Sequence, residues 1–302
     1  MRNRRILLRE ATAMASALGM AVVLMAALVA KAGPGPQQKP PASASQPSVA
    51  PQAQPQPAPA PQPVGTPEPP PVSKEEADAF QAFTQLQNQD GPQIISQGQA
   101  FLGKYALSTY RPVVYAKVVV AYLNAGQLEK LASTGQAALA EDPNNLPVLA
   151  MMAATLPRIN PQGLDAAQRL DLAERCARRA LQLGSAMTKP EGLQQEQFER
   201  ARDEQLGMAH SGLGIVYYRR GDTAASVSEL DLATKLDPAH DPIDFYLLGD
   251  GQMKLKKYPE AATAFDHCAR AQWSSDWQER CRVAQAAAEK AAAGPPSRGA
   301  KP

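Results

Sequence analysis

The sequence predicts an all-α fold. Its expected form is an α-solenoid of stacked antiparallel helix pairs, preceded by a transmembrane or signal helix and a proline-rich linker. Three observations carry this. From residue 73 onward the chain is rich in Ala, Leu, Gln and Glu with helix-period apolar spacing. Small and apolar residues there recur on one fixed spacing. Ahead of them lie an uncharged apolar stretch and then a proline-dense one.

The head, residues 1–10, carries Arg2, Arg4, Arg5 and Arg9. Residues 11–30, ATAMASALGMAVVLMAALVA, hold no charge. As a helix they would span about 30 Å, the thickness of a bilayer's hydrocarbon core. Four arginines before the stretch, against Lys31 and Lys39 after it, favour the N-terminus inside and the C-terminus outside. The expected location is the bacterial inner membrane, single-pass, with the C-terminal part in the periplasm. The alternative is a cleaved signal peptide and a soluble periplasmic or secreted chain. Ala30-Lys31-Ala32 has the form of a cleavage site, and Arg4-Arg5 has a twin-arginine look. No Cys near residue 30 offers a lipidation site.

Residues 31–72 form the linker. Between 33 and 72 stand 15 of the 28 prolines and seven glutamines, with only Lys39 and Glu68 charged. Such a chain builds no core and prefers an extended, solvated form with a reach of up to roughly 120 Å. The head contributes +3 and Lys31, Lys39 and Glu68 a further +1, so of the whole chain's +2 residues 73–302 carry about −2. That balance offers no basic footprint for nucleic acid.

Residues 73–293 are expected to be the helical domain. Ser73-Lys74-Glu75-Glu76 and Asp90-Gly91-Pro92-Gln93 read as capping-box starts of helices over 74–88 and 91–104. Steps of 13, 4 and 3 then link Leu213, Ser226, Leu230 and Ala233. The same steps link Leu248, Ala261, Phe265 and Cys268, and again Val118, Leu131, Gly135 and Ala138. Tyr122-Gly126-Pro143 and Tyr217-Gly221-Pro238 share a second spacing, and Ala173, Ala177 and Ala180 match in part. Two helices joined by a tight turn explain the pattern. Gly214 and Gly249 are expected where the first helix crosses the second. Gly126 and Gly221 end first helices where φ > 0 is wanted. Pro143 and Pro238 stop second helices. One pair cannot bury its apolar face alone, so pairs must stack.

The pattern resembles the tetratricopeptide repeat, a 34-residue helix-turn-helix, and the resemblance implies that the α-solenoid is right-handed. The matched residues are His210, Leu213, Gly214, Tyr217, Ser226, Leu230, Ala233 and Pro238 in one repeat. In the next they are Phe245, Leu248, Gly249, Gln252, Ala261, Phe265 and Cys268. In the earliest they are Tyr115, Val118, Val119, Tyr122, Leu131, Gly135, Ala138 and Pro143. Val119 replaces the family's Gly, Gly135 its aromatic residue and Gln252 its Tyr. Repeats are expected at about 112–145, 146–183 (degenerate, with its turn lengthened by RINPQG), 207–240 and 242–273. Thr188-Lys189-Pro190-Glu191 is expected to start a long helix to Arg220. Its first part, EGLQQEQFERARDEQ, is polar and would project or pack along the previous pair. A closing helix over 276–292 carries the stripe Trp277, Cys281, Ala284 and Ala288, and a tail covers 294–302. QAFLGKYALSTY is similar to a helix-end pattern of envelope tetratricopeptide proteins in outer-membrane assembly and cell division, which carry Pro where Ala106 stands.

The resemblance implies a concave groove lined by the first helices. By matching position its lining would be Val113, Ala116, Val120, Leu123 and Asn124, then Met208, Ser211, Ile215 and Tyr218, then Ile243, Tyr246, Asp250 and Met253. This lining is mostly apolar and lacks the Lys/Asn/Arg set with which some members clamp a carboxylate. It fits an apolar or helical segment of a protein partner, such as an envelope or membrane protein. The function expected is a non-enzymatic interaction scaffold or adaptor in the bacterial cell envelope. The alternatives are a self-assembling homo-oligomeric structural component and, remotely, an accessory cell-wall enzyme.

No nucleophile elbow, phosphate loop or dinucleotide fingerprint is present, and no catalytic residue, metal or cofactor is expected. His210 stands at the repeat's large core position, and His240 and His267 lack a ligand set. Asp250-Gly251 reads as a helix irregularity, and ERARDE and KLKK as solvated faces. Cys268 and Cys281 lie at similar distances on either side of the turn near Ser274-Ser275. They would face each other in an antiparallel pair, either as a disulfide or as two small buried residues. Cys176 is expected to be buried and unpaired.

Overall fold

The structure, a computed structural model, describes residues 72–159, 165–236, 241–272 and 274–294. The expected anchor at 11–30, almost all of the linker, Pro238, His240 and most of the RINPQG loop lie outside the described residues. Eleven α-helices and no strand occur among the described residues. They are α1 (Lys74–Gln85), α2 (Gly91–Lys104), α3 (Arg111–Asn124), α4 (Leu128–Glu141), α5 (Leu146–Thr155), α6 (Ala166–Ser185), α7 (Gln195–Arg220), α8 (Thr223–Leu236), α9 (Pro242–Lys254), α10 (Tyr258–Arg270) and α11 (Ser275–Ala293).

The helices nest in two rows. The first helices α3, α5, α7 and α9 touch in order. Each second helix packs on its own first helix and on the next one: α4 on α3 and α5, α6 on α5 and α7, α8 on α7 and α9. α10 packs on α9 and α11, and α2 packs on α3 ahead of the series. This is how pairs that cannot bury themselves share a core.

Glycine sets the spacing. A Cβ on Gly214 would stand 2.6 Å from Leu230 Cγ, and one on Gly249 2.8 Å from the Phe265 ring, so α7–α8 and α9–α10 cross at these residues. Gly126 (φ 65°) and Gly221 (φ 82°) end α3 and α7 in the left-handed region. Gln127 N donates to Tyr122 O and Asp222 N to Tyr217 O, closing the same turn twice. Lys257 N donates to Gln252 O in the third copy of that turn, but there Lys256 takes the left-handed place at φ 59°. Gly135, which replaces the repeat's aromatic residue, leaves room that Met152 fills: a Cβ would meet its Sδ at 2.3 Å.

Several expectations change. α7 begins at Gln195, not Thr188, because Pro190 and Gly192 (φ 82°) make a turn first. Of the two forms expected for its polar first half, packing along the previous pair is the one found: Phe198 and Ala201 are buried and α7 packs on α5 and α6. Asp90 does not cap α2; its carboxylate accepts the Gln87 N–H at 2.8 Å and closes a short 3-10 turn, Asn88–Asp90. Ser73 caps α1 by accepting Glu76 N at 3.1 Å. Gly251 is no irregularity. α9 runs straight through it, and a Cβ there would meet Val227 at 2.6 Å.

One large cluster of buried side chains runs from Phe83 on α1 to Val216 on α7. Beyond α7 the core breaks into small groups: Val227, Leu230, Leu248 and Ala264; Phe245, Cys268, Ala269 and Cys281; and Ala261, Phe265 and Ala288.

Candidate functional site

The inner positions of the first helices divide by depth. Ala116 and Val120 on α3, and Met208, Ser211 and Ile215 on α7, are all below 5% exposed. They pack within the array and do not line an open surface, which corrects the expected lining. α3 is covered chiefly by α2 and α4, and α7 by the close approach of α5 and by its second helices. α5 is buried over most of its length, and the Gly212 face of α7 lies directly on its backbone at Ala153. Val113, Leu123, Asn124, Tyr218, Ile243, Tyr246, Asp250 and Met253 are half-buried. Of these, Tyr246 and Met253 pack against the Ala261–Phe265–Ala288 group, to which α11 contributes Ala288. The Trp277 ring of α11 meets Tyr246 edge-on at 5.5 Å. The strip of inner positions left partly accessible is therefore Val113, Leu123 and Asn124 on α3, Tyr218 on α7, and Ile243 and Asp250 on α9.

Polar links fix part of this strip. Tyr218 Oη donates to Asp250 at 2.7 Å, tying α7 to α9. Lys254 Nζ lies 2.7 Å from the same carboxylate and 4.4 Å above the Tyr218 ring. Burial, helped by Asp250, pushes the Tyr218 hydroxyl above its ordinary pKa. The hydrogen bond to Asp250 raises Lys254.

A second link spans farther. Arg158, on the short 3-10 turn Leu156–Arg158 after α5, pairs with Asp241, which caps α9. Its other nitrogen lies 3.0 Å from Ser211 Oγ and 3.2 Å from Asp244 Oδ1. Burial opposes the charge on Arg158, but Asp241 and Asp244 outweigh it, so the guanidinium stays protonated. Arg219, half-buried at the end of α7, is disfavoured in its charged form by burial and then by Arg158. Sequence reasoning missed Arg158, Asp244 and Arg219, and read Lys254 only as part of the solvated KLKK face. Arg158 had one legible signal: it is the first charge after the apolar run LPVLAMMAATLP.

His210 is not fully packed: its Nδ1 lies 2.7 Å from Glu229 Oε2. Cys268 and Cys281 are fully buried with Cα atoms 5.8 Å apart, and the structure joins their sulfurs. Cys176 is a buried free thiol whose pKa burial pushes up to about 11. Among the described residues no group of three or more His, Cys, Asp or Glu could hold a metal. No helix there is long and apolar enough to cross a membrane.

No family model matches the sequence. No curated protein matches it at a significant level. Among solved structures the chain is similar to a thermophilic TPR protein of Thermus thermophilus. The identity is 15% and the TM-score 0.43, over 71% of this chain and 99% of that one.

Proposed function

We propose that this protein is a non-enzymatic interaction scaffold or adaptor of the bacterial cell envelope. In this reading residues 11–30 hold the chain in the inner membrane, the linker spaces the helical array from the bilayer, and the inner face of the first helices receives a segment of a partner protein. The observation that carries it is the accessible strip across α3, α7 and α9. Apolar Leu123 and Ile243 are partly exposed on it, as are Asn124, Tyr218 and Asp250. A mixed apolar and polar surface on a rigid helical support suits an amphipathic partner segment.

The test is charge substitution on the accessible strip. Buried Val120 and Ile215 are unsuitable, because a charge there would unfold the array. Leu123→Glu with Ile243→Glu changes only half-exposed positions. Partners are recovered by crosslinking in the native envelope and mass spectrometry, with helical content checked by circular dichroism. A folded variant is expected to lose its partners at least tenfold. A folded variant that recovers the same partners in the same amounts would end this reading.

A further inference from the structure

We propose that α11 is a releasable cap, held over the Tyr246–Phe265 face by the Cys268–Cys281 bond and freed when that bond is reduced. Only Cys281 and Ala288 on this helix are fully buried, and both are small. Its half-buried Trp277 meets Tyr246 by a ring edge. The Arg282–Glu279 pair and the Gln285–Glu289 bond lie within the helix. Gln278 reaches back only to the carbonyl of Ala271, in the loop just before α11. The apolar groups under α11 are small and separate from the large cluster that holds α1 to α7. α11 lies closely along α10, but it does so through small side chains, so little apolar surface secures it, and such a segment opens before the rest of a fold.

The covalent bond changes that balance. It closes a loop across a sequence separation of 13 and confines α11 near its seat even when the packing lets go. A dithiol reductant supplies two electrons and two protons. The sulfur–sulfur bond breaks, Cys268 and Cys281 become thiols, and the reductant closes to its own disulfide. The helix then keeps its non-covalent contacts with α10 and α9, among them Ala284 and Ala288 against the Ala261–Phe265 group and Trp277 against Tyr246. Its release uncovers Tyr246 and Met253 on α9 and Phe265 on α10, an apolar face continuous with Ile243. What that face would bind rests on the proposed interaction role; the release itself does not.

The experiment is hydrogen exchange on the purified full-length chain, without any partner, before and after treatment with dithiothreitol. Amides of residues 278–290 are expected to exchange at least tenfold faster after reduction, while those of 208–236 stay unchanged. The double variant Cys268→Ala/Cys281→Ala is expected to match the reduced chain with or without reductant. Three results would overturn the proposal. One is equal protection of α11 in both states. Another is equal loosening of 208–236, which would mean the bond secures the whole array. The third is free Cys268 and Cys281 thiols in protein isolated under oxidising conditions. Because no partner is present, failure of the interaction role leaves this outcome untouched.

Discussion

Gly212 on α7 and Ala153 on α5 meet backbone to backbone: a Cβ on Gly212 would stand 2.4 Å from the Ala153 carbonyl oxygen. Neighbouring pairs therefore touch without side chains between them, and a carbonyl in a helix cannot swing aside as a side chain can. Gly212→Ala is expected to destabilise the array by about 2–3 kcal/mol despite the better helix propensity of Ala, which favours it by only about 1 kcal/mol. Thermal unfolding should fall by about 5–10 °C for a domain of this size. An unchanged midpoint would show that the two helices sit farther apart.

Contacts inside a pair were legible in the sequence, and contacts between pairs were not. Gly214 with Leu230 and Gly249 with Phe265 follow the repeat's ruler, because both partners lie on one hairpin at a fixed separation. Gly212 against Ala153 and Gly251 against Val227 join different pairs, whose offset no local spacing fixes. For the same reason Arg158, which reaches Asp244 across 86 positions, stayed hidden in what read as a loop. The inner positions were legible by number but not by depth. Burial of Val120 and Ile215 depends on how neighbouring helices pack over them, which no local spacing fixes.

Lys256 holds a left-handed φ of 59° where Gly126 and Gly221 hold the same place in sister turns. A side chain costs about 1–2 kcal/mol in that conformation. Glycine loses about 0.4–1 kcal/mol of this advantage through its freer unfolded chain. Lys256→Gly is therefore expected to stabilise by about 0.5–1 kcal/mol, read as a higher urea midpoint with an unchanged slope.

Lys117 is buried, and its Nζ donates to the carbonyls of Phe83, Thr84 and Leu86 at 3.1, 2.9 and 2.8 Å, which finishes α1. Lys117→Met leaves those carbonyls without this donor and is expected to cost about 1–3 kcal/mol. Burial lowers the Lys117 pKa below 10.5. The folded chain thus releases this proton at a lower pH than the unfolded chain does, and Lys117 adds stability as pH climbs toward 10.5. Urea titrations should show the gap between wild type and variant widening over that range.

Arg158 neutralises carboxylates at Asp241 and Asp244 whose side chains are 3% and 0% exposed. Removing the cation from buried anions costs about 3–5 kcal/mol, far more than an exposed pair would. Arg158→Met should show this in chemical unfolding. Asp244→Leu added to it should recover part of the loss, since the coupled partners then go together.

Site-specific photo-crosslinking in intact cells tests the central claim most directly. The reactive group is placed at Leu123 or Tyr218 on the inner strip, and at exposed Gln136 or Ser228 on second helices. The account predicts that Leu123 and Tyr218 capture the same partner and that Gln136 and Ser228 do not. Capture from Gln136 and Ser228 with none from the inner strip would contradict it.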